Sequence, residues 1–343
     1  MPIKKLEATA QALVVDGKGL LAADETVSRL SRRLVARGIE STPDSRRAYR
    51  EMLFSTPGIG ECISGVILHE EAIRQRTARG RPFPGLLAQQ GIVPGITVDR
   101  GASRLSGSSG EHITEGLDGL RDRVRELAAL GARFAKWRAV IVVSDSRPTR
   151  LCLRDNAHAL GRYASICQEQ GLVPIVEAEV MTDGTHTIER CEEVTAAVLR
   201  EVFEALADHR VILEGILLKP NMILPGAMCP FRATSEAIAV ATVRCLQRFV
   251  PAAVPGIVFL SGGQDPLEAT AHLSAINQQP GPKPWNLTFS FGRALQDEAL
   301  CAWGGWPENA AAGQRAFRHR VRCVSSAAAG LYFPGMEEHP AVA

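Results

Sequence analysis

Short β-rich apolar runs alternate with amphipathic helical patterns from one end of the chain to the other. The runs predict strands near Gly19–Asp24, Ile63–His69, Val93–Asp99, Arg133–Val140, Val173–Glu179, Gly215–Pro220, Ile257–Gly262 and Leu287–Gly292. Between them apolar residues recur at helical spacing, as in Leu120, Val124 and Leu127, then Val194, Val198, Val202 and Leu206, then Ile238 to Leu246. Thr42-Pro43-Asp44 marks a helix start, with a threonine able to cap the first turn and a proline whose fixed φ suits it. Strands alternating with helices imply right-handed βαβ units and a parallel sheet. Eight of them, with no Gly-rich nucleotide fingerprint, favour a closed (β/α)8 TIM barrel, an α/β fold formed as a single domain over residues 1–343. From about residue 331 onward the sequence reads as a flexible C-terminal tail.

Composition narrows the class without changing it. The 343 residues are 45% hydrophobic and 22% charged, with a net charge of only +2, as in an ordinary globular protein. Acidic residues are mixed among the arginines, so no basic stripe points to nucleic acid or to a membrane surface, while small anions stay open as partners. The eight cysteines are scattered, with no C-x-x-C pair and no histidine at ligand spacing, and read as small buried hydrophobes in a reducing compartment. The apolar patch Ala12 to Val15 is far too short for a signal or a membrane span, so the expected location is cytoplasmic.

Lysine usage singles out two positions. Only six of the 39 basic residues are lysine, and Lys219 ends the apolar run Ile216, Leu217, Leu218 directly before Pro220. Arginine keeps its proton, whereas a desolvated lysine gives it up and can attack a carbonyl. The alternative is a lysine whose stem packs while its head reaches solvent. In a barrel of this kind the C-terminal strand ends meet around one mouth, which gathers Asp24, Asp99, Lys136, Arg138, Glu177, Glu179, Lys219 and Arg293. Strands seven and eight end in Ser261-Gly262-Gly263 and Ser290-Phe291-Gly292-Arg293, glycines with free backbone N–H groups beside an arginine, suited to a phosphate.

That set fits a Schiff-base nucleophile at Lys219. Burial and the neighbouring cation Lys136 disfavour its charged form, and a carboxylic acid, Glu177 or Glu179, shuttles protons as the carbinolamine dehydrates. The protonated imine is an electron sink for carbon–carbon cleavage, so no metal is needed. Each residue also has a plainer reading: Asp24 as the cap of the next helix, Glu177 with Arg138 as a structural ion pair, Ser261-Gly262-Gly263 as a tight turn.

The stretches L-A-A-D-E (Leu21 to Glu25), G-V-I-L (Gly65 to Leu68), G-L-D-G-L (Gly116 to Leu120), F-A-K-W-R (Phe134 to Arg138), V-P-I-V-E-A-E (Val173 to Glu179), L-L-K-P-N-M (Leu217 to Met222), F-L-S-G-G-Q (Phe259 to Gln264) and L-T-F-S-F-G-R-A-L-Q (Leu287 to Gln296) resemble class I fructose-1,6-bisphosphate aldolase. The resemblance runs from about Gly17 to about Gly305. It implies an aldehyde-lyase that cleaves a ketose 1-phosphate, first of all fructose 1,6-bisphosphate, to dihydroxyacetone phosphate and an aldehyde. Its partners would be a sugar phosphate and an aldehyde, its assembly a homo-oligomer (tetramers are common in the family), and its cofactors none, neither metal nor prosthetic group.

By the same resemblance Lys219 forms the imine, Glu177 is the main acid/base with Glu179 beside it, and Lys136 assists by charge and hydrogen bonding. Asp24 holds and deprotonates the hydroxyl next to the cleaved bond. Ser261, Gly262, Gly292 and Arg293 bind the phosphate of the dihydroxyacetone phosphate half, with Arg138, Arg29 and Arg33 as further substrate-binding candidates. The chain departs from the family where the distal phosphate binds. G-I-T-V-D puts Thr97 where the family has lysine, Thr26 and Arg29 replace two serines, and Phe291 replaces a tyrosine. Arg29 either takes over the lysine's role or closes the pocket to a phosphorylated aldehyde, which would make a specialised enzyme for another acceptor. A non-catalytic scaffold is a further alternative, but it would have no reason to keep Lys136, Glu177 and Lys219. The chain ends in H-P-A-V-A, with Tyr332 as the tyrosine near the end where relatives have a terminal one.

Overall fold

A computed structural model describes residues 3–338. Eight parallel strands close into a barrel whose order in space is their order in sequence, the eighth returning to pair with the first. They are Gly19–Ala23, Ile63–Leu68, Val93–Thr97, Phe134–Ile141, Val173–Val180, Leu217–Pro220, Gly256–Phe259 and Asn286–Phe291. The predicted (β/α)8 barrel is thus what the chain forms, and the predicted helical stretches lie in Leu120–Ala129, Ile188–Asp208 and Ser235–Phe249. Thr42 caps the Pro43–Phe54 helix as its sequence implied: its side chain accepts from Ser45 N–H, and Ser45 Oγ accepts from Thr42 N–H.

Several boundaries differ from the pattern-based ones. Asp24, His69, Asp99, Gly262 and Gly292 lie just past their strands, in the loops of the mouth. Strand three ends early because Asp99 turns its side chain back to accept from Gly101 N–H at 3.1 Å. The sixth strand starts at Leu217 because Leu213–Gly215 forms a 3-10 turn. Several elements are not marked by the pattern. Among them are the helix Ile3–Leu13, the long helices Arg150–Glu169 and Ala310–Ala328, and a small antiparallel hairpin of Ala102–Arg104 with His112–Thr114.

The N-terminal helix explains why the barrel is not a pore. Leu6, Ala10 and Leu13, one face of that helix, join Leu20, Phe134, Ile175, Leu217 and Val258 in a dry cluster inside the strands. Glycines make the room: a Cβ on Gly95 would sit 2.2 Å from the Phe134 ring, and one on Gly256 would sit 2.5 Å from Val14 Cγ1. The lower barrel is therefore solid, and polar groups are left to the upper end.

Among the described residues all eight cysteines are free thiols. Their expected burial holds for most, but Cys301 is exposed and Cys62, packed against the core, is only half-buried. No described helix is long and apolar enough to cross a membrane.

Candidate active site

The ladder register brings the strand-end residues into one row. Thr97 lies opposite Lys136, Arg138 opposite Glu177, and Glu177 opposite Lys219. Side chains two apart on a strand share a face, so Lys136 with Arg138 and Glu177 with Glu179 point inward together. Lys219, Glu177, Glu179 and Lys136 are all buried.

Their contacts form a closed circuit. Lys219 Nζ lies 3.1 Å from Glu177 Oε1, and Lys136 Nζ lies 3.4 Å from Glu177 Oε2, so one carboxylate stands between two lysine side chains. Lys136 also reaches Asp24 Oδ2 at 2.7 Å and Asp99 Oδ2 at 3.7 Å. Thr97 donates its hydroxyl to Asp99 Oδ2 at 3.1 Å, holding that carboxylate in place. Arg138 pairs through Nε with Glu179 rather than with Glu177, which frees Glu177 for the lysines. The alternative of a structural Glu177–Arg138 pair is thereby corrected.

The charges set each other. Burial alone would lower the pKa of Lys136, but Asp24, Glu177 and Asp99 together raise it well above its ordinary value, so it stays an ammonium. Burial would likewise raise Glu177, yet Lys219, Lys136 and Arg138 hold it below the usual carboxylate range. Asp24 is depressed in the same way: burial works to raise it, and Lys136 and Lys219 outweigh that effect. Glu25 goes the other way, with burial raising its pKa against the pull of Arg33.

Asp24 does not cap a helix. Thr26 does so, its side chain accepting from Arg29 N–H at 3.3 Å at the start of Val27–Val35. This cap seats Arg29 one turn in from the mouth, where it lines a cavity of about 730 Å³ together with Asp24, Thr97, Lys136, Glu177 and Lys219. Arg29 also lines an adjoining cavity of about 620 Å³, whose far wall holds Ser261, Gly262, Gly292 and Arg293. Among the described residues Arg29 and Arg293 make no ion pair. Arg33 faces this second cavity too, but its guanidinium is held by Glu25 and by Asp297 at 2.8 Å.

The phosphate-like end is built from backbone. Gly262 and Gly263 have φ of +58° and +81°, a turn only glycine takes without strain. Among the described residues neither glycine's N–H donates to a backbone carbonyl. Arg293 opens the helix Arg293–Trp303 and lines this cavity beside Gly292, at the end of the helix where N–H groups are free for an anion. Ser290 Oγ, buried on the same wall, has no hydrogen-bond partner among the described residues.

The sequence puts Asp99 at a strand end without marking a task for it, and carries no signal for Glu25, which pairs with Arg33, and none for Asn221 beyond its place in L-L-K-P-N-M. Asn221 Oδ1 accepts from Val180 N–H at 3.0 Å and ties strand five to the loop after Lys219. Tyr332 lines neither cavity, and residues 339–343, the H-P-A-V-A end, lie outside the described residues.

Residues 5–342 match the family model described as fructose-bisphosphate aldolase class-I. The chain belongs to the class I fructose-bisphosphate aldolase family. It is 52% identical over 328 residues to "Fructose-bisphosphate aldolase 4, cytosolic" of Arabidopsis thaliana, covering 96% of this chain and 84% of that one. Fructose-bisphosphate aldolase B of Gallus gallus is 51% identical over 330 residues, covering 96% and 91%. A solved structure of fructose-bisphosphate aldolase from Plasmodium falciparum, in complex with TRAP and a small-molecule inhibitor, superposes with a TM-score of 0.95 at 47% identity, covering 97% and 96%. Class I aldolases act through a lysine Schiff base without a metal cofactor, and the buried Lys219–Glu177–Lys136 circuit is a fitting seat for that chemistry.

Proposed function

We propose that this chain cleaves fructose 1,6-bisphosphate reversibly to dihydroxyacetone phosphate and glyceraldehyde 3-phosphate through an imine on Lys219. The observation that carries this assignment of roles is the 3.1 Å approach of Lys219 Nζ to Glu177 Oε1 in a buried pocket that also holds Lys136. Glu177 takes the proton as the amine attacks the C2 carbonyl and returns one as water leaves the carbinolamine. Asp24, mostly buried and ionised, takes the proton of the C4 hydroxyl; the C3–C4 bond breaks and its electron pair passes into the iminium. Lys136, held as an ammonium, steadies both carboxylates and does not compete as a nucleophile.

The 1-phosphate is assigned to Ser261, Gly262, Gly292 and Arg293. The distal phosphate is assigned to Arg29, which shares its cavity with Thr97 and brings a guanidinium to the position where lysine is missing. Arg138 and Glu179 then frame the sugar between the two ends. A cytoplasmic location belongs to the same proposal, supported by the cytosolic name of a relative 52% identical to this chain, and so does a homo-oligomeric assembly, which the family resemblance implies.

Borohydride reduction in the presence of fructose 1,6-bisphosphate tests the reading. The Lys219 peptide should gain the mass of a reduced dihydroxyacetone phosphate adduct, and Lys219→Met should abolish both adduct and cleavage. An adduct on another lysine, or full activity without Lys219, would overturn it.

A further inference from the structure

The helix Ala310–Ala328 carries His319 and Cys323 four residues apart, so both lie on one face, and the chain beyond it folds back to set Glu337 against them. His319 Nε2 is 3.8 Å from Glu337 Oε2 and 3.8 Å from Cys323 Sγ. All three potential ligand atoms lie within 4.8 Å of one another. In tetrahedral zinc sites, with ligands at about 2.0–2.3 Å, ligand atoms stand roughly 3.3–3.8 Å apart. The two separations from His319 already fit such a site, and side-chain shifts would bring the third, between Cys323 and Glu337, into the same range.

The surroundings support a bound cation. Arg320, fully buried, donates to both oxygens of Glu337, Nη1 to Oε2 at 2.7 Å and Nη2 to Oε1 at 2.6 Å, which fixes the carboxylate as an outer-sphere partner does. The Met336 carbonyl oxygen, 3.8 Å from Cys323 Sγ, offers a fourth corner, as would water. With Cys323 ionised, two negative charges face the ion against the single charge of Arg320. A mixed sulfur, imidazole and carboxylate set selects zinc-like ions over magnesium or calcium. The expectation that no histidine stood at ligand spacing to a cysteine is corrected here: four residues along a helix is such a spacing. None of the three lines either cavity at the barrel mouth, so the cluster is separate from the reaction.

We propose that His319, Cys323 and Glu337 bind a zinc-class divalent cation that fastens the segment after the last long helix to that helix. On binding, the thiol proton of Cys323 leaves to solvent and a metal–thiolate bond replaces it, with no redox change. The proposal does not rest on the aldolase reading.

The test uses the full-length protein, stripped with chelator and dialysed, then titrated with Co²⁺ and Zn²⁺. A cobalt–thiolate charge-transfer band should appear at one ion per chain and be displaced by Zn²⁺. The band should vanish in Cys323→Ser, persist in Cys301→Ser, and require at least about tenfold more metal in His319→Ala. Zn²⁺ should also slow proteolysis within residues 331–338 in the wild type but not in Cys323→Ser. No band in the wild type, a band that survives Cys323→Ser, or one that depends on Cys301 would overturn the site.

Discussion

Asp24 accepts a hydrogen bond from Lys136 Nζ at 2.7 Å, and this pairing helps keep a largely buried carboxylate ionised at the barrel mouth. Removing the ammonium, as in Lys136→Met, leaves Asp24, Asp99 and Glu177 facing one another without their shared cation. The pKa values of Asp24 and Glu177 should rise, and the proton transfers assigned to them should slow. We expect kcat to fall by about 10²- to 10⁴-fold, the usual weight of positioned acid–base groups, with a smaller change in KM. Steady-state kinetics on the folded variant check this; a change confined to KM would show that Lys136 only binds substrate.

The same charges make stability depend on pH. Asp24 and Glu177 titrate below their unfolded values, so the stability they contribute is complete above about pH 4 and is lost as the pH falls through their folded pKa values. Lys136 titrates above its unfolded value, so its contribution is complete below about pH 10 and is lost as the pH rises further. Urea midpoints at pH 3.5 and pH 7 should therefore differ less in Asp24→Asn than in the wild type. Equal losses in both proteins would mean that acid sensitivity arises elsewhere.

Arg29 lines both halves of the mouth, and its role separates two substrates. If it holds the distal phosphate, Arg29→Ser removes one charge-assisted contact of about 1.5–3 kcal/mol, so kcat/KM for fructose 1,6-bisphosphate should drop roughly 10- to 100-fold while fructose 1-phosphate changes by about twofold or less. Should Arg29 instead close the pocket, the serine variant would gain activity on the bisphosphate. Paired assays on the two ketoses decide between the outcomes.

Much of this arrangement was legible because barrel topology turns strand-end identity into proximity: Lys136, Glu177 and Lys219 need only sit at the ends of neighbouring strands to meet. Roles that depend on register or on loops were not legible. Asp99 matters because Thr97 lies opposite Lys136 and hydrogen-bonds it, which no spacing announces. That Thr26 and not Asp24 caps the next helix depends on which side chain reaches the Arg29 N–H. The helix Ile3–Leu13 was missed because its buried face includes a mere alanine, Ala10, between Leu6 and Leu13, a weak periodic signal. Glu337 joins His319 and Cys323 only through the return of the chain after Ala328.

The solid lower barrel yields a prediction about packing alone. Gly95 on strand three leaves the space that the Phe134 ring fills, and a methyl group there would come within 2.2 Å of the ring. Phe134 is fully buried, with Leu13 and Leu20 around it, so it has no open side into which to retreat. Gly95→Ala should therefore destabilise by about 1–3 kcal/mol, the ordinary cost of overpacking. Phe134→Leu is destabilising by itself through lost burial, yet it makes room for the alanine. In a double-mutant cycle by urea unfolding, the pair should be more stable than the sum of the single losses by about 0.5–3 kcal/mol. Strict additivity would mean that the two side chains do not compete for one space, and that the barrel floor yields by moving its backbone instead.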